Sequence, residues 1–303
     1  MRKFIIIAIT ALFANNLAFP CTNLLVGKKA STDGSTLISY AADSYGLFGE
    51  LYHWPAKKYN AGDMLKVYEW DTGKYLGEIA QVSQTFNVIG NMNEHQLAIA
   101  ETTFGGRSEL ADSTGIMDYG SLIYITLQRA TNARDAIKVM TNLVNEYGYY
   151  SGGESFSIAD PNEVWVMEMI GKGTGNKGAV WVAVRIPDDC VSAHANQARI
   201  QQFPLDDPDN VLYAPDVIDF AREKGYYTGS DADFSFAQAY APLDFGAMRF
   251  CEARVWSFFN NVNKDMGQYV TYAQGKTTEP MPLYIKADRK LSAQDIQNLM
   301  RDH

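Results

Sequence analysis

Residues 21–43 read CTNLLVGKKASTDGSTLISYAAD, and they decide the fold class of the chain. Two apolar runs of strand length, TNLLVG and STLISYAAD, are separated by a Lys-Lys pair and by the turn-forming sequence Thr-Asp-Gly. This pattern predicts a β-hairpin whose first strand starts at Cys21.

The rest of the chain adds further strands around one helical region. Residues 83–106 repeat the pattern of strand, polar turn and strand, with the turn expected over residues 92–95. Apolar residues after residue 120 recur at helical spacing, with a break near Asn132. The patterns predict strands over residues 83–91, 96–106, 155–161, 163–171 and 179–187, and helices over residues 121–130, 133–148, 214–225, 248–262 and 291–303. Without regular alternation of strands and helices, we expect antiparallel sheets with helices packed outside, an α+β fold.

The first twenty residues form a leader. Arg2 and Lys3 precede an apolar run, FIIIAITALFA, that is too short to span a bilayer, and this combination is typical of a secretory signal peptide. We therefore expect an exported protein, periplasmic or secreted, with no membrane-spanning segment once residues 1–20 are removed. An uncleaved anchor and a lipoprotein acylated at Cys21 remain the alternatives.

Composition indicates a globular chain with one large core or two modest ones, and we expect a single domain over residues 21–303 after the leader. The chain of 303 residues is 47% hydrophobic and 20% charged, which suits a packed core. Its net charge is −9 and it has no basic stretch, which argues against nucleic acid or an anionic membrane surface as a partner. Because the sequence stops inside an amphipathic pattern, truncation of this domain after residue 303 stays open.

Three cysteines, Cys21, Cys190 and Cys251, are present in a chain expected to be exported. An odd number leaves at least one free thiol, and Cys190 and Cys251 either pair with each other or are small buried residues. Cys21 differs by its position at the leader boundary. After cleavage it would carry an α-amine, whose pKa of about 7.7–8.0 suits a general base for its own thiol.

The segment from Cys21 to Ser35, CTNLLVGKKASTDGS, resembles the mature N-terminus of the C69 cysteine dipeptidases. That family belongs to the N-terminal nucleophile hydrolases, together with bile salt hydrolases and penicillin V acylases. The order of further motifs extends the resemblance over most of the chain after the leader. These motifs are GNMNE (90–94), ETTFGG (101–106), SFSIAD (155–160), WVME (165–168), ANQ (195–197) and RFCE (249–252).

The resemblance implies a four-layer αββα fold of two antiparallel sheets between helical layers. It also implies hydrolysis of dipeptides or other short peptides by Cys21 through a thioester. A conjugated bile acid or a penicillin side-chain amide is the alternative substrate, and an exported binding lipoprotein without activity is the alternative of another class.

Three further catalytic residues are implied by the resemblance. Asp43 would orient the terminal amine, Asn196 would donate to the oxyanion, and Arg249 would lower the pKa of the thiol. A turn aspartate, a cap or turn asparagine and a surface ion pair are the corresponding structural alternatives. Many relatives carry Arg-Asn-Glu-Asp where this chain has YAAD (40–43), so this chain departs from the family pattern at the arginine position.

Glu101 and Thr103 are candidates for substrate binding, because they could line the pocket and a carboxylate there could hold the free amine of a dipeptide. His194 could pair with Cys21, but we favour a structural histidine. The sequence has no His-Glu-x-x-His, Cys-x-x-Cys or EF-hand pattern, so we expect neither a metal nor a cofactor.

Overall fold

The structure is a computed structural model that describes residues 21–43 and 49–302. The leader predicted over residues 1–20 lies outside the described residues. Among the residues that are described, no helix has both the length and the apolar character needed to cross a bilayer.

The strands are short except in the middle of the chain. They are β1 (Cys21–Val26), β2 (Leu37–Ile38), β3 (Ala41–Ala42), β4 (His53–Trp54), β5 (Lys57–Lys58), β6 (Met64–Tyr68), β7 (Tyr75–Ala80), β8 (Gln84–Thr85), β9 (Val88–Ile89), β10 (Met92–Asn93), β11 (Ala98–Gly105), β12 (Gly153–Ala159), β13 (Val164–Gly171), β14 (Ala179–Ile186), β15 (Val191–His194), β16 (Val211–Tyr213) and β17 (Tyr284–Ile285).

The helices fall into a central pair and a C-terminal group. They are α1 (Tyr119–Leu127), α2 (Ala133–Tyr147), α3 (Val217–Glu223), α4 (Phe236–Tyr240), α5 (Ala253–Val262), α6 (Val270–Ala273) and α7 (Ala293–Leu299). Short 3₁₀ helices cover Ser108–Leu110, Asp231–Asp233 and Lys264–Tyr269, and a π-helix over Ala247–Glu252 leads into α5.

Antiparallel pairing joins most strands into two sheets. The larger sheet has the order β16-β14-β13-β12-β11-β10-β9-β4, and the smaller has the order β17-β15-β1-β2, with β3 also paired to β1. The hairpin predicted from residues 21–43 is confirmed, although its second strand is divided. β2 pairs with the end of β1, and β3 pairs with its start. The four remaining strands form two smaller two-stranded sheets, β5-β8 and β6-β7.

Alternation along the strands decides how the two sheets pack. Trp165, Met167 and Met169 of β13 face one way and join a core with α1 and α2, while Val166 and Ile170 face the other way. On that second face the larger sheet shares a core with the smaller one.

The smaller sheet supplies Leu25 to the core that it shares with the larger sheet. Its neighbours Leu24 and Val26 face away and pack with Phe258 and Phe259 of α5. The antiparallel sheets with helices packed against them are those of an α+β fold, as predicted.

The helix pair is separated where the sequence predicts. Asn132 accepts a hydrogen bond from Asp135 N at 2.9 Å and caps the start of α2. The helix ends at Gly148, whose φ of 80° few other residues adopt readily. The expected turn at residues 92–95 is partly wrong, because Met92 and Asn93 form β10 and the chain turns after them.

Candidate active site

Cys21 is the first residue of β1, where that strand pairs with β3. Its partner is Ala42, and only 7% of Cys21 is exposed. The backbone N–H of the next residue, Asp43, faces the Cys21 sulfur and acts to lower its pKa. The Asp43 side chain itself is exposed. Pairing of the first hairpin therefore brings the Asp43 backbone N–H beside Cys21, and the role expected of the Asp43 carboxylate stays a prediction.

Asn196 lies on the opposite side of Cys21. Strand β15 pairs with β1 in a register that sets Asn23 across from His194, so two residues further on the chain is level with Cys21. Asn196 has a φ of 60°, in the left-handed region where Asn is among the few residues tolerated. This turn directs the carboxamide towards Cys21.

Neighbouring groups fix the orientation of the Asn196 carboxamide. Its Oδ1 accepts hydrogen bonds from the Cys21 backbone nitrogen at 2.6 Å and from Arg254 Nη2 at 2.9 Å. Its Nδ2 donates to Thr103 O at 2.7 Å. With donors on one side and a carbonyl on the other, only one assignment of the amide satisfies all three contacts. Asn196 also acts by a side-chain hydrogen bond to lower the pKa of the Cys21 thiol.

The guanidinium that contacts Cys21 belongs to Arg254, on α5. Its Nη1 donates to Cys21 O and, at 2.8 Å, to Thr22 Oγ1. Its Nη2 donates to Ala195 O at 3.0 Å as well as to Asn196. The planar fork of an arginine can hold several acceptors at once, so Arg254 ties the start of β1 to the turn that carries Asn196.

Arg249, the arginine predicted for this role, lies on the π-helix before α5. Its guanidinium donates to Ala273 O at 2.8 Å, and in the described part of the chain the arginine contacts to Cys21 come from Arg254. Sequence reasoning missed Arg254. Helical spacing could have identified it, because Arg254 is four residues before the buried Phe258 and so lies near the face of α5 that packs on the smaller sheet.

The Cys21 thiol is not activated while residues 1–20 are still attached to it. Burial and the nearby Glu101 carboxylate raise its pKa to about 11, against the opposing effects of Asn196, the Asp43 N–H and Arg254. In this chain the Cys21 nitrogen is a peptide amide, which cannot accept the thiol proton. The thiol is therefore protonated at neutral pH.

Glu101 and Thr103 lie on β11, and their side chains meet a residue that the sequence reasoning missed, Glu154 of β12. Glu101 Oε1 accepts from Tyr40 Oη at 2.7 Å, and Thr103 Oγ1 donates to Glu154 Oε1 at 2.9 Å. Burial raises the pKa of both carboxyls. The signal for Glu154 was an acidic residue near the start of a strand, Gly153–Ala159, that the structure buries completely.

His194 is fully buried and both of its ring nitrogens have partners. Nδ1 lies 2.7 Å from Thr102 Oγ1, and Nε2 lies 2.7 Å from Ser157 Oγ. Burial lowers the pKa of the imidazole to about 3, so it is neutral at physiological pH. Thr102 and Ser157 belong to the larger sheet and His194 to the smaller, so the histidine connects the two sheets, in keeping with the structural role favoured above.

The three cysteines are free thiols, which removes the alternative that Cys190 and Cys251 form a disulfide. Across residues 21–43 and 49–302, no group of three or more His, Cys, Asp or Glu side chains is arranged to hold a metal ion.

The profile of peptidase family C69 matches residues 20–53 and 50–303. The chain belongs to this family. Curated relatives of this C69 chain are named as dipeptidases. It is 27% identical over 335 residues to a probable dipeptidase of Salmonella dublin, with all of this chain and 70% of the relative covered. It is also 27% identical over 302 residues to Dipeptidase A of Lactobacillus helveticus, with 91% of this chain and 60% of the relative covered. The C69 chain thus spans roughly 60–70% of the length of these relatives.

Proposed function

We propose that the protein is a cysteine dipeptidase in which Cys21 becomes the N-terminal nucleophile once residues 1–20 are removed. One observation carries the proposal. The Cys21 nitrogen lies 2.6 Å from Asn196 Oδ1, and the same side chain acts to lower the pKa of the Cys21 thiol. The nitrogen that would become the α-amine is therefore already held beside the thiol, and the enzyme needs only cleavage before Cys21 to acquire its base.

The geometry supports a sequence of proton transfers between groups of Cys21 itself. The free α-amine takes the thiol proton, and the thiolate attacks the peptide carbonyl carbon. Asn196 Nδ2 and the Asp43 N–H, which both face the sulfur, are placed to donate to the oxyanion. Collapse of the tetrahedral intermediate breaks the C–N bond, and the leaving amine takes the proton from the α-ammonium. Water, deprotonated by the amine, then hydrolyses the thioester.

Two charged groups complete the proposed machinery. The carboxylate of Asp43 would hold the α-ammonium when it is charged, and Arg254 would take the role first expected of Arg249. Arg254 donates hydrogen bonds to the carbonyl oxygen of Cys21 and to Oδ1 of Asn196. It would therefore fix the position of the nucleophile relative to the oxyanion donor.

The proposed architecture is that of the N-terminal nucleophile hydrolases. The helix pair α1–α2 packs on one face of the larger sheet, the smaller sheet packs on the other face, and α5 packs outside the smaller sheet. We assign these packing relations to a four-layer αββα arrangement. Export through the predicted leader belongs to the same proposal, because maturation would then accompany secretion.

A dipeptide suits the site because of Glu101. The free amine of a dipeptide lies two bonds from the scissile carbonyl carbon, so a group that binds this amine must be close to the nucleophile. Glu101 is the charged side chain with the largest effect on the Cys21 thiol. We propose that it accepts the substrate ammonium, which favours unblocked substrates.

Mass spectrometry of the purified, exported protein tests the proposal at its first step. We expect an N-terminus at Cys21 with a free amine. A retained leader would contradict the maturation step, and an acylated Cys21 would favour the lipoprotein alternative.

Activity is then measured on dipeptides, with glycine-conjugated bile acids and penicillin V in parallel. We expect turnover of dipeptides, loss of turnover after iodoacetamide, and loss in Cys21→Ala. Cys251→Ser is the matched control, because it removes another thiol and should keep activity. If the protein with free Cys21 hydrolyses no dipeptide, the proposed function is wrong, and turnover of either other substrate class would identify the related hydrolase instead.

A further inference from the structure

Glu154 is a buried acidic residue that the mechanism above does not use. It lies in β12, opposite Thr103 of β11, and only 1% of its surface is exposed. Glu101 is two residues before Thr103 on the same strand and is 2% exposed. Because side chains alternate along a strand, Glu101 and Glu154 occupy the same face of the sheet as diagonal neighbours, and each carboxyl affects the pKa of the other.

Each carboxyl has one oxygen satisfied by a hydroxyl and one that is not. Oε1 of Glu101 accepts from Tyr40, and Oε1 of Glu154 accepts from Thr103. Oε2 of each is buried and has no donor within the described chain. Two ionised carboxylates in contact repel each other, whereas one proton between them gives both Oε2 atoms a partner.

In the described part of the chain, no cationic side chain forms an ion pair with either carboxyl. The groups that interact electrostatically with the pair include Cys21, Tyr40, Asp71, Tyr119 and Tyr149, all neutral or acidic. Within residues 21–43 and 49–302, neither Glu101 nor Glu154 takes part in a salt bridge. A buried negative charge without a cationic partner suits a site that receives its cation from a ligand.

We propose that Glu154 is a positioning residue for recognition of the substrate amine, sharing one proton with Glu101 so that the pair carries a single negative charge. The inference rests on the proposed dipeptidase function. Glu154, as the protonated partner, donates to Glu101 and holds it ionised. The substrate ammonium then replaces the Tyr40 hydroxyl on Glu101 and is held next to Cys21.

Isosteric substitutions distinguish the role of Glu154 from that of Glu101. Glu154→Gln keeps an oxygen for Thr103 and an N–H for Glu101, so it mimics the protonated acid and should leave KM for an unblocked dipeptide within about threefold of wild type. Glu154→Ala removes the donor and should raise KM about tenfold or more. Glu101→Gln removes the charge and should raise KM by a similar factor with kcat changed less, since ground-state and transition-state binding of the amine are lost together.

The experiment uses the mature, full-length protein with Glu146→Gln as the control. Glu146 is an exposed residue of α2, and its substitution also removes one negative charge. Thermal unfolding confirms that each variant is folded before kinetics. If Glu154→Gln raises KM as much as Glu101→Gln does, or if Glu154→Ala behaves as wild type, the positioning role is wrong. Failure of wild type to hydrolyse any dipeptide would instead overturn the proposed function itself.

Discussion

Replacing Arg254 tests the assignment of the active-site arginine, where the structure departs from the sequence expectation. Arg254 donates to Cys21 O, to Thr22, to Ala195 O and to Asn196 Oδ1. Arg254→Met removes the charge and all four contacts while keeping an unbranched side chain. Arg254→Lys keeps the charge, but a single ammonium cannot reproduce the fork.

The magnitude follows from what Asn196 retains. Loss of a complete oxyanion donor costs about 10²- to 10³-fold in kcat. In the Arg254 variants, Asn196 keeps its bonds to Thr103 and to the Cys21 nitrogen, so only part of this loss applies. We expect kcat/KM to fall about 10²-fold in Arg254→Met and about tenfold in Arg254→Lys. Unsatisfied acceptors should lower the free energy of unfolding by about 1–3 kcal/mol in Arg254→Met.

The thiol provides an independent readout. The charge of Arg254 lowers the pKa of the Cys21 thiol, so its removal should raise that pKa. The rate of iodoacetamide alkylation as a function of pH measures this change directly. It should move to higher pH in Arg254→Met and move less in Arg254→Lys.

Arg249→Met is the matched control, since Arg249 bonds Ala273 O and is expected to leave both the alkylation profile and kcat/KM close to wild type. The reasoning is refuted if Arg249→Met impairs catalysis while Arg254→Met, shown to be folded by its circular dichroism, does not.

Three further predictions concern the structure around the site and the helix pair. Asn196→Gly should lower kcat about 10²-fold. Glycine accepts the φ of 60°, so the free energy of unfolding should fall by only about 1–3 kcal/mol, from loss of the carboxamide hydrogen bonds, and a variant that fails to fold would contradict this. His194→Gln should lower the free energy of unfolding by about 1–3 kcal/mol at pH 7. Burial lowers the pKa of folded His194 from 6.5 to about 3, so its stabilising effect is complete above pH 6.5 and is lost as the pH falls towards 3. The difference between wild type and His194→Gln in urea denaturation should therefore shrink between pH 7 and pH 5, and a constant difference would rule out this linkage. Asn132→Ala should cost about 1 kcal/mol in the same assay through loss of the α2 cap, with no effect on kcat.

Local chemistry explains why much of the fold could be predicted. The break between α1 and α2 depends on the Asn132 side chain and the next turn of backbone, and the first hairpin depends on one turn and two apolar runs. The segment between residues 53 and 80 could not be predicted in this way. Its strands β4 to β7 are short and mostly exposed or half-buried, so only a few of their residues carry the apolar signal of a strand packed against a core.

The sequence by itself determined the nucleophile candidate and the general class of the fold. Cys21 stands at the boundary of a leader pattern, and the apolar alternation of the central strands specifies antiparallel sheets with helices outside. The family resemblance implied Asp43 and Asn196, and the structure brings the Asn196 side chain and the Asp43 backbone N–H beside Cys21.

Only the tertiary structure decided which distant side chains complete the site. Arg254 reaches Cys21 across 233 positions of the chain, and its choice over Arg249 depends on which side of α5 packs against the smaller sheet. Glu154 meets Glu101 through the register of two neighbouring strands. Such contacts depend on packing angles and strand register, which involve the whole core, so a local pattern that marks Arg254 or Glu154 as a candidate does not record which residue it will contact.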